Sequence, residues 1–407
     1  MSLQCFFIDF NSYFASVEQQ LRPELRGQPV GVVPVMAETT CCIAASYEAK
    51  AYGIKTGTKV AEARRLCPDV QIVEARPPVY IKFHDQLVKV VHSLIPVDKI
   101  LSIDEMICTL GQSQQNPEAA WQLAHRVKHA IYTLVGREMR CSIGVAPNFL
   151  LAKMASNMQK PDGFVVIEKH ELPERLYSLD ISDLYGIGPR MVARLNSIGI
   201  HSMADLCTAR RDTLRHAWHG IEGERMYARL RGESVYSPPT RKSSIGHSHV
   251  LSPDKRSPEA AFAVLHKLLQ KAASRLRHEH LLSGRLWLSL DYLDESSWRD
   301  KLHLDPSDDT LALLHALKQL WQRRPGDMPP LLRVSVVLEK LKDSHAQTLS
   351  LFDTGENRQQ LNSTIDTINQ KFGHNSVYFG GAHQAMDSAP MRIAFTHIPD
   401  PSLEGDG

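Results

Sequence analysis

The chain has 407 residues, a length that predicts about two to four domains rather than a single core. Its formal net charge of +2 is too small to indicate a nucleic-acid partner by itself. The seven cysteines form no CxxC pair, and no apolar run approaches the about 20 residues that a membrane span needs. We therefore expect no disulfides, no zinc site, no signal peptide and no membrane partner, and a reducing, cytoplasmic location.

The first residues predict a strand followed by a helix. Residues 5–9 form a short apolar run that is typical of a buried strand and ends in an acid. Either Asn11 or Ser12 is placed to cap a helix over residues 13–17. Residues 30–35 predict a second strand.

Further helices and strands follow up to about residue 165. Residues 116–118 (Asn-Pro-Glu) are a strong helix start, with a capping side chain, a proline in the first turn and then an acid. Residues 141–145 predict a strand, and residues 149–159 predict a helix that the Lys-Pro-Asp-Gly sequence at 160–163 ends. Strands mixed with crossing helices predict an α+β layer over residues 1–165.

The remaining sequence predicts two more regions and an extension. Residues 166–235 show short helical patterns around Leu-Tyr-Gly-Ile-Gly-Pro, and a Ser-Pro-Pro linker follows. The next elements have the split order βαββαβ, predicted at residues 243–250, 257–276, 285–290, 298–302, 305–321 and 333–338. We expect Asp305–Ser307 to cap the second of these helices. After residue 353 we expect one helical stretch and a loose end.

Charge is unevenly distributed along the third region. Residues 241–290 contain nine Lys or Arg against three Asp or Glu. Such an excess suits contact with phosphates, although a solvated helix face gives the same pattern.

Two acidic sites interrupt apolar strands. Asp9 ends the first strand, and Asp104 and Glu105 are neighbours in Leu-Ser-Ile-Asp-Glu-Met. Side chains of adjacent residues in a regular strand point to opposite faces, so Asp104 and Glu105 converge only at a strand end, a turn or a bulge. Taken alone, Asp9 is more typical of a helix-capping or edge Asp than of a metal ligand, and Asp104 and Glu105 are more typical of a hairpin tip with two solvated acids.

Considered together, the three acids suggest a metal centre. Three carboxylates on neighbouring strands would repel one another, and a pair of divalent cations would remove that penalty. Oxygen ligands suit magnesium. Two metals about 3.5–4 Å apart form the clamp used for in-line attack on phosphorus. The hypothesis is therefore two-metal phosphoryl-transfer chemistry.

Six sequence motifs, in order, resemble the Y family of translesion DNA polymerases, which includes bacterial DNA polymerase IV and the catalytic subunit of polymerase V. The resemblance covers residues 1–350 and rests on FFIDFNSYFASVE, ASYEAKAYGIKTG, LSIDEM, CSIGVAPNFLLAKMASNMQKPDG, LYGIGP and SSIGHSHVL. It implies a right-hand polymerase with a palm (1–20 and 76–165), small fingers (21–75), a helix-hairpin-helix thumb (166–236), a βαββαβ little finger (237–353) and a C-terminal extension (354–407).

The resemblance also implies the roles of individual residues. Asp9, Asp104, Glu105 and the carbonyl of Phe10 would hold two magnesium ions. Phe14, beside Tyr13, would exclude a ribose 2′-hydroxyl. The triphosphate contacts would come from Tyr47, Lys50 and Lys160. This chain has Ala44 where many relatives have a hydroxyl residue and Lys50 where many have Arg, which puts the detailed phosphate contacts in doubt.

Further contacts are implied with DNA and with other proteins. Residues expected to touch primer–template DNA are Gly186, Gly188 and Arg190 in the thumb, with Arg194 nearby, and Lys242, Ser244 and Arg256 in the little finger. Leu349, Leu351 and Phe352 resemble a β sliding clamp-binding peptide, although a last strand and exit loop explain them equally well. The expected partners are DNA, a deoxynucleoside triphosphate, the clamp and accessory repair proteins.

Two other functions remain open from the sequence. The chain could be a non-catalytic, polymerase-like scaffold on DNA that recruits repair proteins, although three intact acids argue against this. It could also be a small helix-hairpin-helix nuclease, in which case the primer would be degraded rather than extended.

Overall fold

The computed structural model describes residues 3–236, 242–326, 329–344 and 356–389, together with residues 393, 398 and 399. Residues 3–236 form one compact unit, and the three ranges between 242 and 389 form a second. Each unit has its own sheet and its own apolar core. In the described ranges no helix is both long and apolar enough to cross a membrane. The predicted α+β, multidomain fold is confirmed.

A five-stranded sheet organises the first unit in the order β5-β6-β1-β7-β8. The central strand β1 (Cys5–Phe10) is antiparallel to both β6 (Glu105–Thr109) and β7 (Cys141–Ala146). Strands β5 (Lys99–Ile100) and β8 (Phe164–Val166) form the two edges. Because side chains alternate along a strand, one face of β1 carries the fully buried Phe6 and Ile8, and the other carries Phe7 and Asp9.

Four helices pack around this sheet, and the sequence predicted all of them except the helix at Pro77–His92. They are α1 (Tyr13–Leu21), α4 (Pro77–His92), α5 (Pro117–Leu134) and α6 (Phe149–Met158). Helix α6 lies against β1 and β7 so closely that a Cβ atom at Gly144 would be 2.0 Å from the Ala152 carbonyl oxygen. Only glycine permits that approach, which holds α6 beside the acidic end of β1.

Residues 30–74 form a small sheet of three strands with the order β3-β2-β4. The strands are β2 (Val30–Val33), β3 (Ala44–Ala45) and β4 (Gln71–Glu74), with helices α2 (Tyr47–Ala51) and α3 (Val60–Leu66). Their apolar side chains form a separate small core.

Four short helices complete the first unit: α7 (Pro189–Asn196), α8 (Met203–Thr208), α9 (Arg211–Ala217) and α10 (Ile221–Arg229). Their apolar residues share one core with α6. Asn148 reinforces this packing, because its amide caps α6 and also donates to the carbonyls of Arg229 and Glu233 at 2.8 and 3.0 Å.

The second unit has the predicted βαββαβ order, which is confirmed. Its elements are β9 (Ser244–Val250), α11 (Pro258–His278), β10 (Leu281–Tyr292), β11 (Ser297–Ser307), α12 (Thr310–Gln322) and β12 (Leu331–Asp343). The sheet order is β11-β10-β12-β9, with every pair antiparallel.

Two predicted helix caps are wrong. Residues Asp305–Ser307 belong to β11, because pairing with β10 continues to Ser307, and Asp309 caps α12 instead by accepting from the Leu311 and Ala312 amides. At α1, Ser12 has the cap position but a φ of 48°, and its side chain makes no capping bond. The Asn11 side chain is also bonded elsewhere in the fold.

The C-terminal residues add to the core of the second unit. The predicted helix is α13 (Glu356–Phe372), but the expected loose end is wrong for the described residues up to 389. A 3₁₀ turn at Gly380–Ala385 packs on α11, with Ala385 and Ala389 buried. The buried Lys267 ammonium donates to the carbonyls of Met386 and Ser388 at 2.9 and 2.6 Å.

We predict that Lys267→Met destabilises the second unit by about 1–3 kcal/mol, because two buried carbonyls lose a charged donor. Urea denaturation followed by the fluorescence of Trp321, which lies in this core, measures the change. The matched control is Lys318→Met on the exposed side of α12, with an expected effect within about 0.5 kcal/mol. Equal stabilities for the two variants would contradict this role of Lys267.

Candidate active site

The structure brings the three predicted carboxylates together at one end of the central sheet. Asp9 and Glu105 are direct partners in the antiparallel pairing of β1 with β6. Asp104 immediately precedes β6, and its backbone carbonyl accepts from the Phe10 amide at 2.8 Å. Since β6 begins only at Glu105, the two neighbouring acids meet at a strand end, as the sequence required.

Each carboxylate has a positively charged or hydroxyl partner. The Lys160 ammonium is 2.7 Å from Asp9 Oδ2. The Lys153 ammonium is 2.9 and 2.8 Å from the two oxygens of Glu105. Ser102 donates its hydroxyl to Asp104 Oδ1 at 2.5 Å. Two lysines therefore partly neutralise three acids.

That compensation is incomplete. Burial, with a smaller effect of the nearby Asp104 and Glu105 charges, raises the pKa of Asp9 to about 6 against the opposing effect of Lys160. Burial also raises the pKa of Asp104, against its bond from Ser102. Additional positive charge at the site would therefore favour the ionised form of both carboxylates.

These residues fit a divalent-cation site without forming a finished cage. The donors are carboxylate oxygens, which are the ligands that hard cations such as magnesium prefer. Across the ranges that the structure describes, no three acidic, histidine or cysteine side chains already surround a common point. Glu105 is turned toward Lys153 and Asp104 toward Ser102, so cation binding requires these side chains to rotate.

The turn that carries Lys160 is held firmly beside Asp9. The Asn11 side-chain oxygen accepts from the Asp162 amide at 2.7 Å, and its NH₂ group donates to Ser142 at 3.0 Å. A Cβ at Gly163 would lie 1.7 Å from the Gln159 carbonyl oxygen, so the turn closes only with glycine there. Asn11, which sequence reasoning considered only as a helix cap, thus fixes the position of Lys160.

Two of the predicted triphosphate residues lie together on α2. The Lys50 ammonium is 4.3 Å from the centre of the Tyr47 ring and donates to the Ser12 hydroxyl at 2.8 Å. Ser12 follows the end of β1, so Lys50 lies beside the chain segment that leaves Asp9 and Phe10.

Phe14 and Tyr13 have different surroundings on α1. Tyr13 is buried, and its hydroxyl donates to the Tyr80 carbonyl at 2.6 Å. Phe14 is half-buried and stacks on the Tyr80 ring at 4.6 Å with an angle of 16°. The Tyr80 hydroxyl donates to the fully buried Glu18, which also accepts two bonds from Arg76.

The predicted helix-hairpin-helix is present at the start of α7. Gly186 has a φ of 88°, a conformation that favours glycine, and Gly188 occupies the cap position of α7. A Cβ at either glycine would meet no neighbouring atom, so the loop surface is open. Arg190 is exposed, whereas Arg194 donates to the Ala217 carbonyl at 3.2 Å.

The predicted contacts of the second unit are only partly available. Ser244 is exposed at the start of β9. Lys242 forms an ion pair with Glu279, and Arg256 donates to the Leu251 carbonyl at 3.3 Å. Leu349, Leu351 and Phe352 lie outside the described residues.

Lys153 and its neighbour Tyr185 were missed by sequence reasoning. The Lys153 ammonium is 4.3 Å from the centre of the Tyr185 ring, in the loop before α7. Lys153 faces Glu105 because of the orientation of α6 about its own axis, which the sequence alone does not give. Within CSIGVAPNFLLAKMASNMQKPDG, a lysine inside an otherwise apolar helix was the available signal.

Comparison with known sequences identifies relatives along most of the chain. Residues 8–157 match the impB/mucB/samB family, residues 242–351 match its C-terminal domain, and residues 170–200 match the IMS family HHH motif. DNA polymerase IV of Moorella thermoacetica is 34% identical over 387 residues, covering 92% of this chain and 96% of that protein. DNA polymerase IV of Pelotomaculum thermopropionicum is 32% identical, with 91% and 92% covered.

Solved structures show the same fold. A chimera of the Y-family DNA polymerases Dbh and Dpo4 matches with a TM-score of 0.69 at 23% identity, covering 84% of this chain and 99% of the chimera. An insertion ternary complex of Dbh DNA polymerase matches with a TM-score of 0.53 at 25% identity, with the same coverage.

We predict that Asp9→Asn stabilises the metal-free protein above pH 7 by about 2–3 kcal/mol. Because folding raises the pKa of Asp9 from 3.8 to about 6, its contribution to stability is complete below pH 3.8 and is lost as the pH rises through 6. Asparagine does not titrate, so the variant lacks this loss.

Hydrogen exchange of the β1 amides in EDTA, at pH 5 and pH 8, measures the effect. Asp98→Asn, at an exposed residue just before the edge strand β5, serves as the control. If the β1 amides of Asp9→Asn and Asp98→Asn exchange at the same rate at pH 8, the charged Asp9 does not destabilise the fold.

Proposed function

The chain belongs to the Y family of DNA polymerases, and we propose that it extends a primer on damaged template DNA with Asp9, Asp104 and Glu105 as its catalytic centre. The reaction is attack of the primer 3′-hydroxyl on the α-phosphorus of a deoxynucleoside triphosphate, with release of pyrophosphate. The relatives are named DNA polymerases, and this supports a DNA-directed, translesion activity over a scaffold role.

One observation supports this proposal most strongly. Asp9 and Glu105 are paired across β1 and β6 at the point where Asp104 joins them, so residues almost a hundred positions apart form one acidic end of the sheet. Such crowding is unfavourable unless cations share the site. The pairing of these carboxylates lowers the stability of the fold, and a protein with a purely structural role would have no need of it.

The family mechanism depends on divalent cations, and we propose that two magnesium ions serve here. Asp9, Asp104, Glu105 and the Phe10 carbonyl would hold them, and they would supply the charge that steadies both the attacking and the leaving oxygen. The protein itself contributes position: the end of the sheet fixes the carboxylates, and the Asn11-bonded turn fixes Lys160.

The incoming nucleotide would be handled by the residues around Ser12. We propose that Lys160 leaves Asp9 for the terminal phosphates, and that Lys50 leaves Ser12 in the same way while Tyr47 contacts the triphosphate. Phe14, fixed by its stacking on Tyr80, would meet the sugar at the 2′ position. Tyr13 would hold this turn of α1 in place, because its hydroxyl donates to the Tyr80 carbonyl.

The division into palm (1–20 and 76–165), fingers (21–75), thumb (166–236) and little finger (237–353) is proposed on the same basis. The small sheet at residues 30–74 would be the fingers, and α7 to α10 would be the thumb. Gly186, Gly188 and Arg190 would contact the DNA backbone through open amides and charge, without reading sequence. Ser244 would also contact the DNA backbone. Lys242 and Arg256 would do so after leaving Glu279 and the Leu251 carbonyl.

Partners beyond DNA and nucleotide are proposed from sequence alone. Leu349, Leu351 and Phe352 resemble a peptide that binds the β sliding clamp, and accessory repair proteins would act with it. A cytoplasmic location, where chromosomal DNA and reduced cysteines occur together, suits this work.

Asp104→Ala is predicted to reduce primer extension by at least about a hundredfold, because a carboxylate that would hold the catalytic cations is lost. DNA affinity should stay within about threefold. Single-nucleotide incorporation with Mg²⁺ measures the first quantity, and fluorescence anisotropy of a labelled duplex measures the second. Asp98→Ala is the control, and extension by Asp104→Ala at the rate of that control would remove Asp104 from catalysis.

Phe14→Ala is predicted to increase ribonucleotide use relative to deoxyribonucleotide use by at least about tenfold, since the space beside the sugar opens. The ratio of kcat/KM for dCTP and CTP opposite a template guanine measures this selectivity. Tyr132→Ala, an exposed aromatic on α5, is the control. An unchanged ratio would show that another residue excludes the 2′-hydroxyl.

A further inference from the structure

Lys153 lies between the candidate active site and the hairpin that precedes α7. Its ammonium contacts both oxygens of Glu105, and it is 4.3 Å from the centre of the Tyr185 ring. The side chains of Lys153 and Glu105 are 14% and 19% exposed, so water screens this ion pair little. Tyr185 is half exposed and directly precedes Gly186 of the hairpin.

Two aromatic rings, those of Phe7 and Tyr185, contact the ammonium group, and the Phe149 ring packs against both. Phe149 contacts Tyr185 edge-on at 5.5 Å and Phe7 at 5.8 Å, and the Phe7 ring is 5.5 Å from the Lys153 ammonium. The face of an aromatic ring attracts a cation, most strongly where water is excluded. The Tyr185 ring therefore holds the ammonium together with Glu105, and it can retain the ammonium if Glu105 turns away.

The two active-site lysines differ in what they can do when substrates bind. Lys160 is on an exposed turn, from which a triphosphate can draw it away from Asp9. Lys153 is half-buried on α6, and its ammonium contacts Glu105 and the rings of Phe7 and Tyr185. As long as it holds both Glu105 oxygens, a divalent cation competes with it for the same ligand.

We propose that Lys153 is a positioning residue that withholds Glu105 from divalent cations until DNA engages the hairpin carrying Tyr185. Phosphates bound at Gly186 and Gly188 attract the ammonium toward the Tyr185 ring, and an oxygen of Glu105 becomes free to turn to a cation. DNA binding and cation binding thus favour each other through one side chain, and the coupling is reciprocal. This inference rests on the proposed function, because it takes Glu105 as a metal ligand and the hairpin as a DNA contact.

The test measures Mn²⁺ affinity by electron paramagnetic resonance, using the full chain with and without a dideoxy-terminated primer–template and with no nucleotide. No turnover occurs, so the readout is independent of activity. We expect DNA to tighten Mn²⁺ binding in the wild type. Tyr185→Leu should reduce that DNA effect by about threefold to tenfold, the range expected for one partly desolvated cation–π contact. Tyr185→Phe keeps the ring and should retain the full effect.

A double-mutant cycle identifies Lys153 as the link. Lys153→Met should tighten Mn²⁺ binding without DNA, because the competing cation is gone, and Tyr185→Leu should then have no further effect. Lys153→Arg should restore part of the DNA effect. If the methionine variant does not fold, Lys153→Gln replaces it.

The proposal is overturned if Tyr185→Leu leaves the DNA effect unchanged, or if it changes the effect equally with and without Lys153. Primer extension by the same wild-type preparation separates two failures. If the wild type extends primers but its Mn²⁺ affinity ignores Tyr185, only the coupling is wrong. If it extends none, the proposed function itself fails.

Discussion

The central constraint on this protein is the mutual repulsion of three carboxylates at the end of β1 and β6. Pairing of Asp9 with Glu105 is dictated by the register of two otherwise apolar strands, so the fold cannot separate these charges without losing its central sheet. Its compensation comes from a single neighbouring element, since α6 supplies Lys153 and the turn after α6 supplies Lys160. The close packing at Gly144 sets the distance between that helix and the acids. The accuracy of the site therefore depends on helix–sheet contact as much as on the acids themselves.

A second buried charge organises the nucleotide side of the site. Glu18 is fully buried and accepts bonds from Arg76 and from the Tyr80 hydroxyl, which ties α1 to α4. Its cost of burial is offset by these charge-assisted bonds, and removing one partner alone would leave an uncompensated charge. Because Tyr80 also forms the surface on which Phe14 stacks, the same network fixes the side chain proposed to face the sugar. The selectivity for the sugar that is proposed for Phe14 would thus depend on a buried ion pair that does not itself touch substrate.

Local patterns in the sequence predicted most elements and the meeting of the three acids. Apolar strands with acids at their ends, the Asn-Pro-Glu start of α5 and the βαββαβ order each follow from short-range rules. What those rules missed depends on tertiary contact. The cap of α12 moved to Asp309 because β11 stays paired with β10 up to Ser307. The packing of residues 379–389 could not be predicted, because Lys267 binds backbone carbonyls of this segment. Every residue has a backbone carbonyl, so the sequence carries no signal for this contact. The sequence analysis missed Lys153 as the partner of Glu105 because that contact depends on the orientation of α6 against the sheet.

The two lysines also explain how one acidic site can be stable when empty and ready when substrates arrive. Burial raises the pKa of Asp9 and Lys160 lowers it, so a site with no internal cations would hold its carboxylates less readily in the ionised form. A site with permanently fixed cations would compete with the metal ions it needs. Ammonium groups on flexible stems would avoid both outcomes if, as proposed, Lys160 turns to a substrate phosphate and the Tyr185 ring retains Lys153. Occupancy of the site by metal would then be decided by ligands that arrive together with the substrates rather than by the acids alone.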